Sequence, residues 1–141
     1  MAAAALSTAG IALATAPKKG WTYTTQPTAK VFVTFKVSAN GRKITKLDAG
    51  TAVKCKGSAG GFPAAKPGSG KITRKGTFDV VLKLYPPGPG GQKSSGTDTV
   101  TGHFVRGGKA TGTVRTHFNF QTATSFCRGV KQSYTAIGAA K

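Results

Sequence analysis

Residues 98–120, DTVTGHFVRGGKATGTVRTHFNF, decide the fold. β-branched and small residues alternate on both sides of Arg106-Gly107-Gly108, the pattern of two strands joined by a tight turn. A two-residue loop at Gly107-Gly108 scatters the apolar side chains over both faces, so that register buries no common face. A three-residue loop, Arg106-Gly107-Gly108, pairs Phe104 with Ala110, Gly102 with Gly112 and Val100 with Val114 on one face. Thr99, Thr101, His103, Thr111, Thr113 and Arg115 then share the other, and His117 falls opposite Thr97. The odd loop also places glycine where a left-handed residue is needed. The facing Gly102 and Gly112 leave a bare patch that an aromatic ring, Trp21 or Tyr23, is expected to cover.

The same alternation recurs outward from this hairpin. Val31, Val33, Phe35 and Val37 share one face, with Phe32, Thr34 and Lys36 on the other, and the run ends at Asn40-Gly41, a strong hairpin signal. Pairing across that turn sets Val37 against Ile44 but Phe35 against Lys46, which predicts a bulge near Lys46. From Thr77 to Tyr85, Phe78, Val80, Leu82 and Leu84 share a face, and this strand is expected to be central. Pro86-Pro87 ends it, since neither proline donates to a ladder. Further strands are expected near Ala52–Lys56, with Cys55 beside Val53, and from Phe126 to Ala136. With seven or eight strands and no alternating helices, the fold class is all-β, an antiparallel sandwich or barrel. Two long loops rich in Gly, Pro and Ser, Gly57–Gly70 and Pro86–Gly96, separate the strands.

The 141 residues make one domain by length. Residues 1–16 are apolar and alanine-rich, too short to span a membrane, and have the small-residue end of a secretory signal. Ala12-Leu13-Ala14 and Ala14-Thr15-Ala16 are the two candidate cleavage sites, and residues 17–141 are the expected β domain. Only two cysteines exist, Cys55 and Cys127; in an exported chain a lone separated pair is expected to form one disulfide.

The charge is extreme: 21 Lys and Arg against Asp48, Asp79 and Asp98, a formal net charge of +18. Such a field attracts polyanions without choosing among them. Lysine outnumbers arginine 16 to 5, which favours diffuse attraction over the planar fork that reads phosphates and bases bidentately. Lys54, Lys56, Lys66, Lys71, Arg74 and Lys75 cluster in sequence about the first long loop and form the expected electrostatic patch.

Gly68-Ser69-Gly70-Lys71 looks like the end of a phosphate-binding loop. The signature fails, because Ala65 stands where a glycine is required, Ile72 where Ser or Thr is required, and no helix is expected to follow, the chain beyond reading as strand. Acid–base catalysis needs paired groups with separated pKa values, and the chain has no glutamate and three scattered aspartates. No metal set is apparent, for His103 and His117 lie far apart along the hairpin with no further ligand. No enzyme, metal or cofactor is expected. Tyr85, Phe62 and either Trp21 or Tyr23 are the rings that could stack on single-stranded nucleic acid.

Tyr23-Thr24-Thr25, the Val/Phe strand at 31–37, Cys55-Lys56-Gly57, Gly76-Thr77-Phe78, Gly102-His103-Phe104, Ala110-Thr111-Gly112-Thr113, Cys127-Arg128-Gly129 and Tyr134-Thr135-Ala136 carry a resemblance. Over residues 22–136 the chain resembles small secreted β-rich actinobacterial proteins of unknown function. The resemblance implies fold and export and carries no active site. The functional expectation is a secreted or cell-surface bacterial module that binds anionic envelope polymers or extracellular polysaccharide without catalysis. A structural assembly subunit and a single-stranded nucleic-acid binder are the alternatives.

Overall fold

The computed structural model describes residues 15–28, 30–56, 62–85, 94–121 and 126–140. The expected signal segment up to Ala14, residues 57–61 at the start of the first long loop and residues 86–93 of the second lie outside them. Ten antiparallel strands and no helix make up the described residues. Their order is β1 (Thr22–Thr25), β2 (Val31–Val37), β3 (Lys43–Thr51), β4 (Lys54–Lys56), β5 (Gly68–Lys71), β6 (Thr77–Lys83), β7 (Ser94–Val105), β8 (Lys109–Gln121), β9 (Phe126–Arg128) and β10 (Lys131–Ala139).

Eight of these roll into one nearly closed barrel-like sheet. Hydrogen-bonded ladders run β6-β7-β8-β10-β1-β2-β3-β5, while β9 and β4 continue from the far end of β8 as a small flap. The last strand expected from sequence is therefore two: Phe126–Arg128 pairs with β4 and Lys131–Ala139 with β1 and β8. Eight strands give a lumen that side chains fill, and here Tyr23, Phe35, Phe104, Leu47, Ile44 and Leu82 occupy it, each under 2% exposed. Tyr23 stacks on Phe35 at 5.2 Å, and Phe104 meets both rings edge-on.

The β7–β8 hairpin has the odd-loop register: Phe104 faces Ala110, Gly102 faces Gly112, and Val100 faces Val114. Gly107 and Gly108 take the positive φ values, 84° and 69°, that the turn requires. The bare patch, however, is covered by Phe78 and Tyr134, against which any Cβ on Gly102 would collide. Trp21 lies on Gly108 instead, and Tyr23 is committed to the core. The Tyr134 hydroxyl donates to the Thr101 carbonyl at 3.0 Å.

The expected bulge sits at Lys46. Val37 faces Ile44 and Thr34 faces Asp48, so β3 carries one extra residue opposite Phe35. Lys46 takes that position at φ 52°, which turns its side chain out and leaves Leu47 fully buried.

Two expectations are corrected. Gly68–Lys71, expected to be the end of a loop, is a strand paired to β3, with Lys43 facing Lys71 and Ile44 facing Gly70. The strand Thr77–Lys83, expected to be central, has a ladder only to β7. Its other side meets β5 across a seam. There Leu82 lies over Gly68 and Val80 over Gly70, so close that neither glycine could carry a side chain. Backbone bonds tether the seam at both ends, from Lys66 N–H to the Lys83 carbonyl (2.8 Å) and from Thr73 N–H to the Thr77 carbonyl (2.9 Å). The bulky residues of β6 take the space that a ladder would occupy, and glycine in β5 makes room for them.

Candidate functional site

Strand direction gives the barrel two unlike ends. At one, the turns β2–β3, β5–β6 and β7–β8 meet the approach to β1; at the other lies the flap. The turn end collects exposed cations from four segments that reach it. Lys18 and Lys19 come from the approach, Arg42 and Lys43 from the first turn, Lys71, Arg74 and Lys75 from the second, and Arg106 and Lys109 from the third. None of the three aspartates lies in these segments.

Local sequence explains why the turns hold this shape. Asn40 Oδ1 accepts from the Ser38 hydroxyl (2.8 Å) and from Arg42 N–H (3.0 Å), and Gly41 supplies a φ of 75°. In the second turn Thr73 Oγ1 and Thr77 Oγ1 share a 2.6 Å hydrogen bond, and Thr73 Oγ1 also accepts from Thr77 N–H. Side chains of Ser, Thr and Asn thus satisfy the turn backbone and leave the cations free to point outward.

The patch expected from sequence is divided by this geometry. Lys71, Arg74 and Lys75 lie together at the turn end. Lys54 and Lys56 lie on the flap, where Lys54 faces Arg128, and Lys66 sits at the flap end of the seam with its Nζ 5.6 Å from the Tyr85 ring. From Lys66 to Lys71 the extended chain runs roughly 16 Å. What sequence proximity could not show is that Lys18, Lys19, Arg42, Lys43, Arg106 and Lys109 join the turn-end half, because they come together only when four separate segments meet.

Two cavities adjoin at the second turn. A cleft of about 250 Å³ lies between the approach to β1 and the first two turns, with Lys19, Arg42 and Arg74 in its wall. An open groove of about 470 Å³ runs on the outer face of β6 and β7, lined by Thr77, Asp79, Thr101 and His103 and bordered by Lys71. Thr73 belongs to both. The groove hydroxyls are held in place: Thr101 Oγ1 lies 2.9 Å from Thr113 Oγ1, and His103 Nε2 lies 3.3 Å from Thr111 Oγ1.

The least expected polar group is inside the barrel. Asp98 shares the inward parity of Val100 and Phe104 and is 0% exposed. Its Oδ1 accepts from the Thr116 hydroxyl at 2.5 Å, and Thr116 in turn accepts from the Thr51 hydroxyl at 2.6 Å. Oδ2 is buried with no hydrogen-bond partner. Burial pushes the carboxyl up to about 6; the Thr116 hydrogen bond opposes this and the nearby charge of Asp48 adds to it. The alternation of the hairpin assigns Asp98 to the inner face, and that parity is the sequence signal for this burial. His117 is exposed opposite Thr97, so it does not meet Asp98.

Of the rings that could stack on bases, Tyr23 is 1% exposed and Phe62 packs against Phe32 at 5.5 Å. Tyr85, half exposed, is at the flap end, and Trp21 is half-buried with Lys18 Nζ 6.0 Å from its ring. Among the described residues no three His, Cys, Asp or Glu side chains are grouped to hold a metal ion. Cys55 stands directly opposite Cys127 in the flap, and among the described residues no cysteine is a free thiol. In comparisons with known proteins, no family model matches the chain, and no curated protein and no solved structure is significantly similar to it.

Proposed function

We propose that the protein is an exported, non-catalytic module that binds an anionic polymer of the cell envelope or extracellular matrix through the turn end of its barrel. The observation that carries this reading is the convergence of cations from four segments, none of which contains an aspartate. Charges gathered on one rigid rim raise the local concentration of a polyanion far more than the same charges spread over a sphere. Lys71, Arg74 and Lys75 of the expected patch belong to this surface; Lys54, Lys56 and Lys66 lie at the opposite, flap end.

Export and kinship with the small secreted actinobacterial proteins are part of the same proposal, as is a Cys55–Cys127 disulfide across the flap. Supporting the bond are the directly opposed backbone positions and the absence of a free thiol among the described residues. Supporting cleavage after Ala14 rather than Ala16 is Thr15, whose N–H donates to the Phe104 carbonyl at 2.6 Å. Intact-mass measurement of secreted protein tests both, since a start at Thr15 and the loss of two hydrogens are each read directly.

The functional test is binding of mature protein to a polyol-phosphate polymer, single-stranded DNA, anionic vesicles and a neutral glycan, at low and high salt. Counterion release makes the affinity for polyanions fall as salt rises. Arg42→Gln with Arg74→Gln should weaken polyanion binding well beyond the effect of Lys54→Gln with Lys56→Gln. Equal losses from the two pairs would refute the turn-end site, and salt-resistant self-association without polymer binding would favour the assembly reading.

A further inference from the structure

From the two adjoining cavities at the β5–β6 turn we infer that the ligand is a polymer in which each anionic group neighbours a hydroxylated unit, a sugar or a polyol. This rests on the anionic-polymer reading above and names the class of repeating unit that the site takes.

The two cavities have opposite chemistry. The cleft offers Lys19, Arg42 and Arg74 and no carboxylate, the character of a seat for a phosphate or sulfate ester. The groove offers the hydroxyls of Thr77 and Thr101, the His103 imidazole and the Asp79 carboxylate, with Lys71 as the one cation at its border. Asp79 is exposed in that groove. There it offsets the charge of Lys71, so the groove holds no net positive charge to seat a second anion, and it accepts hydrogen bonds from the hydroxyl groups of a neutral unit. Because Thr73 borders both cavities, a ligand spanning them needs an ester oxygen and a hydroxylated carbon within one residue's width of each other. A bare polyphosphate satisfies the cleft and finds no net positive charge in the groove, and a neutral glycan satisfies the groove and leaves the cations of the cleft without a partner.

Nucleic acid also alternates phosphate and sugar, but its bases need a stacking surface. Neither cavity has a Trp or Tyr in its wall; of the groove's two rings Phe78 is buried in the core and His103 is held against Thr111 Oγ1 at 3.3 Å. The observations therefore favour a polyol or saccharide phosphate over a polynucleotide.

The inference is tested by titrating the protein with poly(glycerol phosphate), inorganic polyphosphate of matched charge, single-stranded DNA and dextran, in low salt and in about 0.5 M salt, where simple counterion-driven binding is largely lost. The expected result is that poly(glycerol phosphate) binds at least tenfold more tightly than polyphosphate or DNA at high salt. Thr101→Val, which leaves the Thr73–Thr77 bond of the second turn intact, should lower that ratio several-fold while leaving polyphosphate affinity unchanged, and Asp79→Asn should raise polyphosphate affinity several-fold. Equal binding of poly(glycerol phosphate) and polyphosphate at both salts would overturn the inference and leave the anionic-polymer reading standing. Preference for DNA would also overturn it, and failure of every polyanion to bind would overturn the functional reading itself. The comparison of ligands on the unaltered protein decides the matter even if a variant fails to fold.

Discussion

Replacing Asp98 by asparagine should change the stability of this barrel in a strongly pH-dependent way. The carboxyl is fully buried, has one oxygen without a partner, and is raised from 3.8 to about 6. A raised carboxyl pKa means that the folded state holds the proton more tightly than the unfolded chain. Its contribution to stability is therefore fully present below pH 3.8, is lost as pH rises towards 6, and is absent above that. A proton held about a hundredfold more tightly by the folded state is worth about 3 kcal/mol, a large share of the stability of a small domain. The assay is urea unfolding of both proteins at pH 3.5 and pH 7.5. Other titrating groups are common to the two proteins and largely cancel in the difference, as does the cost of burying the asparagine amide. Asp98→Asn should gain about 3 kcal/mol on the parent between the acid and the neutral measurement. A difference within about 0.5 kcal/mol of zero would refute the reasoning, since it would mean that Asp98 is hydrated or paired in the folded protein.

Other features of the barrel lead to equally direct measurements. Gly102→Ala drives a methyl group into Phe78 and Tyr134, so thermal unfolding should show a loss of about 2–3 kcal/mol. Leu47→Ala should cost about 2–4 kcal/mol in urea, because the bulge holds Leu47 wholly inside, whereas Lys46→Gly should change stability by less than about 1 kcal/mol, since glycine relieves the strain of the positive φ but gives the unfolded chain more conformational freedom to lose. Tyr134→Phe removes a hydrogen bond to the Thr101 carbonyl and should cost about 1 kcal/mol. If the flap carries the proposed disulfide, Cys55→Ser should lower stability by up to about 4 kcal/mol, with an unchanged midpoint refuting the bond.

Much of the barrel is legible in the sequence because strands with one buried face leave a period of two. That period sets the β7–β8 register to the residue, and the conflict between Phe35 and Lys46 locates the bulge. Gly68–Lys71 is not legible as a strand. Two of its four residues are glycine and none is β-branched, because the side chains filling that part of the wall belong to Val80 and Leu82 across the seam. The edge position of β6 is hidden for the same reason: its apolar alternation reports burial, and burial comes from a seam rather than from a second ladder. The cationic surface is half legible. Lys71, Arg74 and Lys75 are neighbours in sequence, but a surface made from four segments has no sequence period at all.

The seam between β5 and β6 has a further consequence for solubility. A rolled sheet whose ladder does not close keeps two edges, and exposed edges invite other chains to add strands. Here each edge shields the other: Val80 and Leu82 lie across Gly68 and Gly70, and the backbone tethers at Lys66 and Thr73 fasten the two ends. Any lesion that parts the seam therefore releases two unsatisfied edges together, and aggregation rather than simple unfolding is the expected fate of a protein damaged there.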